Sequence, residues 1–117
     1  MNINKLSLEA HLNAKNKGFH DMELRILRKM KEIFDEEEIA AVKDAFRSQR
    51  IALIASEVLE SLQELRKDNY DNHLTELGDT VIRIGDYFGR EDINLESVIE
   101  EKMEFNKTRD KLHGKRF

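Results

Sequence analysis

The sequence predicts an all-α protein, and three observations predict it. Apolar residues recur at three- and four-residue steps and never alternate over a convincing strand length. Proline is absent from all 117 residues, so only glycine and polar clusters interrupt the helical pattern. Charged residues make up 38% of the chain and apolar ones 39%, where an average domain has roughly 25% and 45–50%. Such a composition gives each helix one buried stripe and leaves the core lean for a chain of this length. The expected architecture is therefore a helical bundle of four to five helices, its core completed by homo-oligomerisation.

The elements follow in order. Leu6–Asn16 reads as a short first helix, ended at Lys17-Gly18, where the glycine takes the left-handed C-terminal conformation. Asp21 caps a second stretch reaching about Phe34. A long helix starts in the acidic run Asp35-Glu36-Glu37-Glu38 and continues to about Arg66. Carboxylates suit the positive end of its dipole, and Arg66-Lys67 suit the negative end. Asp68–Asn72 is a turn, Asp71 or Asn72 caps the next helix, and Gly89 stops it after Phe88. Asn94 caps a last helix, Leu95 to about Arg109, and Thr108–Phe117 is expected to be irregular. The division is one helical domain, 1–109, followed by a basic tail, 110–117.

Spacing assigns Ile51, Ile54, Ala55, Val58, Leu59, Leu62 and Leu65 to one face of the long helix. Leu74, Leu77, Val81, Ile84 and Phe88 form the stripe of the next, and Leu95, Val98, Ile99 and Met103 that of the last. All are expected core positions. Gly78 and Gly85 lie inside a helix, where each costs about 1 kcal/mol relative to Ala, which predicts close approach of another helix.

Several function classes drop out. Without cysteine there is no disulfide frame, thiolate zinc site or cysteine nucleophile. No apolar run approaches the roughly 20 residues of a membrane span, and Met1–Leu12 lacks the apolar core of a secretory signal. A soluble cytoplasmic protein with no membrane partner is expected. A net charge of −4 gives no reason to expect a nucleic acid polymer as partner. Charge is uneven, however: from Lys102 onward six basic residues face two acids, so the end of the chain is +4 and the rest −8. The four histidines, His11, His20, His73 and His113, share no spacing typical of a metal pair, so zinc is not expected.

The acids carry the chemistry. Glu57, Glu60 and Glu64 fall within an arc of about 60° on the long helix, and Glu76, Asp79 and Asp86 repeat the arrangement on the next. In an antiparallel hairpin the two ridges can face each other across a groove. Like charges on neighbouring turns repel by a few tenths of a kcal/mol per pair even when exposed. Magnesium, a hard cation bound through carboxylate oxygens, would compensate, and manganese fits the same ligand set. The competing reading is a solvated acidic face, common on charged amphipathic helices. By the same reasoning Arg83 reads as an ion-pair partner for the carboxylates, Asp86 as a further ligand or a solvated acid, and Phe19, Tyr70, Tyr87 and Phe105 as packing residues.

The order of motifs resembles a known family. Glu57-Val58-Leu59-Glu60, followed after fifteen residues by Glu76-Leu77-Gly78-Asp79, matches the ExxE…ExxD pattern of the MazG-like all-α nucleoside triphosphate pyrophosphohydrolases. The opening Ala10–Asp21 with its Lys17-Gly18-Phe19 turn, the segments Ser56–Arg66 and Glu76–Asp86, and the ending Glu101–Phe117 resemble that family too. Met22–Arg50 has no counterpart in the resemblance. It implies magnesium-dependent hydrolysis of a nucleoside triphosphate, often a deoxynucleotide, to the monophosphate and pyrophosphate. It also implies Glu57, Glu60, Glu76 and Asp79 as metal ligands, with Glu57 or Glu60 accepting the proton of the attacking water. Lys102, Asn106 and Arg109, which share a face of the last helix, would contact the substrate phosphates. A homodimer or homotetramer is implied as well. Two alternatives remain: a phosphoribosyl-ATP pyrophosphohydrolase-like enzyme, and a noncatalytic helical dimer serving as a protein-binding module.

Overall fold

A computed structural model describes residues 1–117. It holds five α-helices and no strand: α1 (Ile3–Asn16), α2 (Asp21–Met30), α3 (Glu36–Arg66), α4 (Tyr70–Glu91) and α5 (Leu95–Lys107), then a short 3₁₀ turn at Lys111–Gly114. No helix is long and apolar enough to cross a membrane.

Local chemistry sets most boundaries. Asn2 caps α1, its side chain accepting from Lys5 N, and Gly18 at φ +83° turns the chain after that helix. Asp35 and Glu38 form a reciprocal capping box, with bonds of 2.8 and 3.1 Å. Asn94 accepts from Ser97 N at 2.9 Å to start α5. Several boundaries differ from the sequence expectation. The first helix starts at Ile3, three residues before Leu6. Asp21 is the first residue of α2, not its cap, and that helix ends at Met30, short of Phe34. Asn69, not Asp71 or Asn72, caps α4. Gly89 does not stop that helix, which runs on to Glu91 and ends at Asp92 in the left-handed region (φ 56°).

The 31-residue α3 forms an antiparallel hairpin with α4, and α4 packs on its other side against α1. Small residues permit the second contact. Ser7 Oγ donates to Gly85 O at 2.7 Å, and a Cβ on Gly85 would meet Leu6 Cδ2 at 2.9 Å. The close approach expected at Gly85 is therefore present. At Gly78 it is absent, for nothing lies within 4 Å. Asn4 joins α1 to the start of α5 through its amide, which bonds Glu96 twice, at 3.1 and 3.2 Å.

Leu95 is buried as expected, and Ile54, Ile84, Phe88 and Ile99 are half-buried, but most of the two hairpin stripes assigned to the core is exposed in the single chain. Ile51, Val58, Leu59, Leu62 and Leu65 are 45–60% exposed, and Leu74, Leu77 and Val81 41–51%. The reason is orientation: α3 turns Glu57 and Ser61, not its aliphatic stripe, inward. At 100° per residue, Ile51, Val58, Leu62 and Leu65 lie about 80–140° round the helix from Glu57. Leu74, Leu77 and Val81 lie about 100–160° from Glu76 in the same sense. Because the helices are antiparallel, both stripes emerge on one side of the hairpin and the acids on the other.

The consequence is an open molecule. Ten of 117 residues are buried, and only Ala14, Leu27, Ile39 and Leu95 among them are apolar. The radius of gyration is 17.5 Å, against about 13 Å for a compact chain of this length.

Candidate functional site

On the side of the hairpin away from the apolar stripes, α1, the α1–α2 turn, α2, α3 and α4 enclose a cavity of about 560 Å³. That lies within the roughly 300–1,000 Å³ typical of small-molecule sites. Glu57, Asp79 and Arg83 line one part of it; His20, Asp86 and Asn13 line another, and the exposed Phe19 and Met22 are also in its wall.

The acidic ridges meet as the helical spacing implied. Carboxylate oxygens of Glu57, Glu76 and Asp79 all lie within 4.8 Å of one another. Glu57 is buried, Glu76 half-buried and Asp79 exposed. Arg83 Nε donates to Glu57 Oε1 at 2.6 Å, the ion pair expected of it. Glu60 stands beside the group without an ion pair, yet its charge is felt. The Glu76 carboxyl is pushed above its ordinary value, first by desolvation, then by the charge of Glu60, then by hydrogen bonding to Glu57 and the charges of Glu57 and Asp79. Glu64 is engaged elsewhere, accepting from Asn69 Nδ2 at 3.0 Å.

This donor set suits a hard divalent cation. Three carboxylates that repel one another have a single guanidinium among them, and an all-oxygen group with an exposed side leaves room for water and phosphate. Glu57, Glu76 and Asp79 are the residues that could hold magnesium or manganese, with Glu60 within electrostatic reach.

The α5 residues are placed differently. Lys102, Asn106 and Arg109 do not line this cavity. Lys102 Nζ sits 4.8 Å from the centre of the Phe105 ring and the Arg109 guanidinium 5.5 Å from it. Asn106 Oδ1 is buried without a partner. Within one chain, the structure does not bring these three groups to the carboxylates.

Two features escaped the sequence reading. Asp86 is no solvated acid: its side chain is 19% exposed, and Oδ1 contacts His11 Nδ1 at 3.0 Å and His20 Nε2 at 2.7 Å. Beyond it lies an ionic network in which Arg50 bonds both oxygens of Glu23 at 2.6 and 2.7 Å and Glu91 Oε1 at 2.6 Å, over the ring of Tyr87. Arg47 and Arg90 join through Glu91 and Glu23. The hydrogen bond from Arg47, helped by the charges of Arg47 and Arg50, holds the Glu91 carboxyl below its ordinary value despite desolvation. The packing role expected of Phe19 also fails, since that ring is 73% exposed.

The chain matches no family model, no curated protein and no solved structure.

Proposed function

We propose that this protein is a magnesium-dependent nucleoside triphosphate pyrophosphohydrolase of MazG-like type, releasing a monophosphate and pyrophosphate. The observation that carries the reading is the convergence of Glu57, Glu76 and Asp79 within 4.8 Å, with Glu57 and Asp79 in the wall of a nucleotide-sized cavity. The spacing of these acids follows the ExxE…ExxD pattern of that family. Bound there, magnesium would neutralise the triphosphate and make a water more acidic.

The residues divide the work. Glu57, fixed by Arg83 at 2.6 Å, orients the cluster. Glu60 has no hydrogen-bond or ion-pair partner and is the carboxylate free to accept the proton of the water attacking the α-phosphorus. As the water oxygen bonds to that phosphorus, the bond to the β-phosphate bridge breaks and pyrophosphate departs.

A second copy of the chain would cover the apolar side of the hairpin. Support comes from the lean core and from the continuous exposed stripe of Ile51, Val58, Leu62, Leu65, Leu77 and Val81. Lys102, Asn106 and Arg109 do not line the cavity of their own chain, so the phosphate contacts that the resemblance implies for them would have to come from another copy. The same stripe favours one rival reading, a noncatalytic module that covers it with a different protein.

A panel of canonical and modified nucleoside triphosphates with magnesium, resolved by product, tests the proposal. Monophosphate and pyrophosphate are expected, with rates lost in Glu60→Ala and Asp79→Ala. Orthophosphate with a diphosphate product refutes the reaction, and no turnover with any substrate favours the module.

A further inference from the structure

His11, His20 and Asp86 reach one another from three elements: α1, the α1–α2 turn and α4. His11 Nδ1 and His20 Nε2 lie 3.0 and 2.7 Å from the same Asp86 oxygen, and the two imidazole centroids are 5.3 Å apart. The His20 side chain is only 5% exposed, while His11 and Asp86 keep about a fifth of their surface, 21% and 19%. Two ligand atoms on a tetrahedral ion with bonds of roughly 2.1 Å are themselves roughly 3.4 Å apart. The nitrogen–oxygen separations of 3.0 and 2.7 Å are shorter than that edge, so an ion would enter by spreading the three side chains by less than an ångström.

We propose that His11, His20 and Asp86 form a second cation site, selective for a zinc-class divalent ion (zinc, cobalt or nickel). The ligand chemistry sets the preference. Two neutral imidazoles and one carboxylate suit these borderline ions, whereas the oxygen-only group of Glu57, Glu76 and Asp79 suits magnesium or manganese. Three protein ligands leave further positions for water on the cavity side, which His20 and Asp86 line. On binding, each imidazole nitrogen that now hydrogen-bonds Asp86 gives up its proton, either to the other ring nitrogen or to solvent.

The two sites are separate. Asp79 and Asp86 are seven residues apart on α4, about 10 Å along the axis, well beyond the roughly 4 Å of a two-metal centre. An ion between the histidines and Asp86 would tie the turn that leads into α2 to the α1–α4 pair. Apart from His20 itself, the side-chain bonds holding this region are those of Glu23 to Arg50 and Arg90. The site stands independently of the hydrolytic reaction proposed above.

Chelator-stripped protein titrated with zinc in millimolar magnesium tests it. One zinc per chain is expected, bound roughly tenfold or more weaker in His20→Gln and Asp86→Asn and unchanged in Asp79→Asn. Cobalt added to the wild-type protein should give the visible absorption of nitrogen-ligated cobalt, a readout that needs no variant. Zinc affinity unchanged by His20→Gln and Asp86→Asn, or no zinc uptake over excess magnesium, overturns the proposal. Cobalt with only the weak spectrum of the hydrated ion overturns it equally.

Discussion

Arg83 reaches from α4 to Glu57 on α3, its Nε 2.6 Å from Oε1, and is the only cation paired with the three-carboxylate cluster. It sets a positive charge against a buried glutamate beside two other acids and partly does the work of a bound cation. Arg83→Gln should therefore lower stability in the absence of divalent ions by about 1 kcal/mol, the cost of leaving a charged hydrogen-bond acceptor unpaired. Magnesium should then stabilise the variant more than it stabilises the wild type. Urea unfolding with chelator and with magnesium measures both effects, and equal magnesium increments would remove the link.

Repulsion within the cluster has the opposite sign. A carboxyl whose folded pKa is raised, as for Glu76, destabilises the protein above that pKa, and the penalty fades as pH falls through it. Glu76→Gln should raise the melting temperature of metal-free protein at neutral pH. The gain should shrink on acidification and vanish in saturating magnesium. Thermal melts from pH 7 to pH 4 check this; a loss of stability at neutral pH without metal would contradict it.

Glu91 behaves conversely. Its carboxyl is held low by the hydrogen bond from Arg47 and the charges of Arg47 and Arg50, so its contribution is present above the ordinary carboxylate pKa. That contribution is lost as pH falls through the lowered folded value. Glu91→Gln should cost about 1–3 kcal/mol at pH 7, with the two proteins converging at acid pH. A pH-independent difference would show that Glu91 acts through packing.

Two glycines of α4 should answer alanine in opposite ways. A Cβ on Gly89 would collide with the Cβ and ring of His11, while one on Gly78 meets nothing within 4 Å. Gly89→Ala should destabilise by about 1–3 kcal/mol. Gly78→Ala should stabilise an isolated chain by about 0.5–1 kcal/mol through helix propensity. Destabilisation by Gly78→Ala that depends on protein concentration would mean that a second copy packs at that point.

Local features were legible in the sequence because their causes are local. The Asp35 start of α3, the left-handed Gly18 and the Asn94 cap each depend on residues within one helical turn. The pairing of Glu57 with Glu76 and Asp79 was legible because a short turn between two periodic helices leaves few ways to fold them together. Periodicity locates an apolar stripe but not what covers it, so Val58, Leu62 and Val81 were assigned to a core that one chain does not make. The His11–Asp86 and His20–Asp86 contacts join residues 75 and 66 apart in the chain, and the ionic links of Glu23 and Glu91 likewise have no short-range signature. Lys102 and Arg109 do share the face their spacing gives them, against Phe105, but helix periodicity carries no information on where α5 docks.

Manganese binding followed by electron paramagnetic resonance bears most directly on the carboxylate cluster, because a bound ion and the free hydrated ion give distinct signals. The account predicts that the wild-type protein takes up manganese, that magnesium competes for it, and that Glu57→Gln and Asp79→Asn lose most of the bound signal while remaining helical. Manganese uptake of wild-type strength in both variants would place the ion elsewhere and contradict the account.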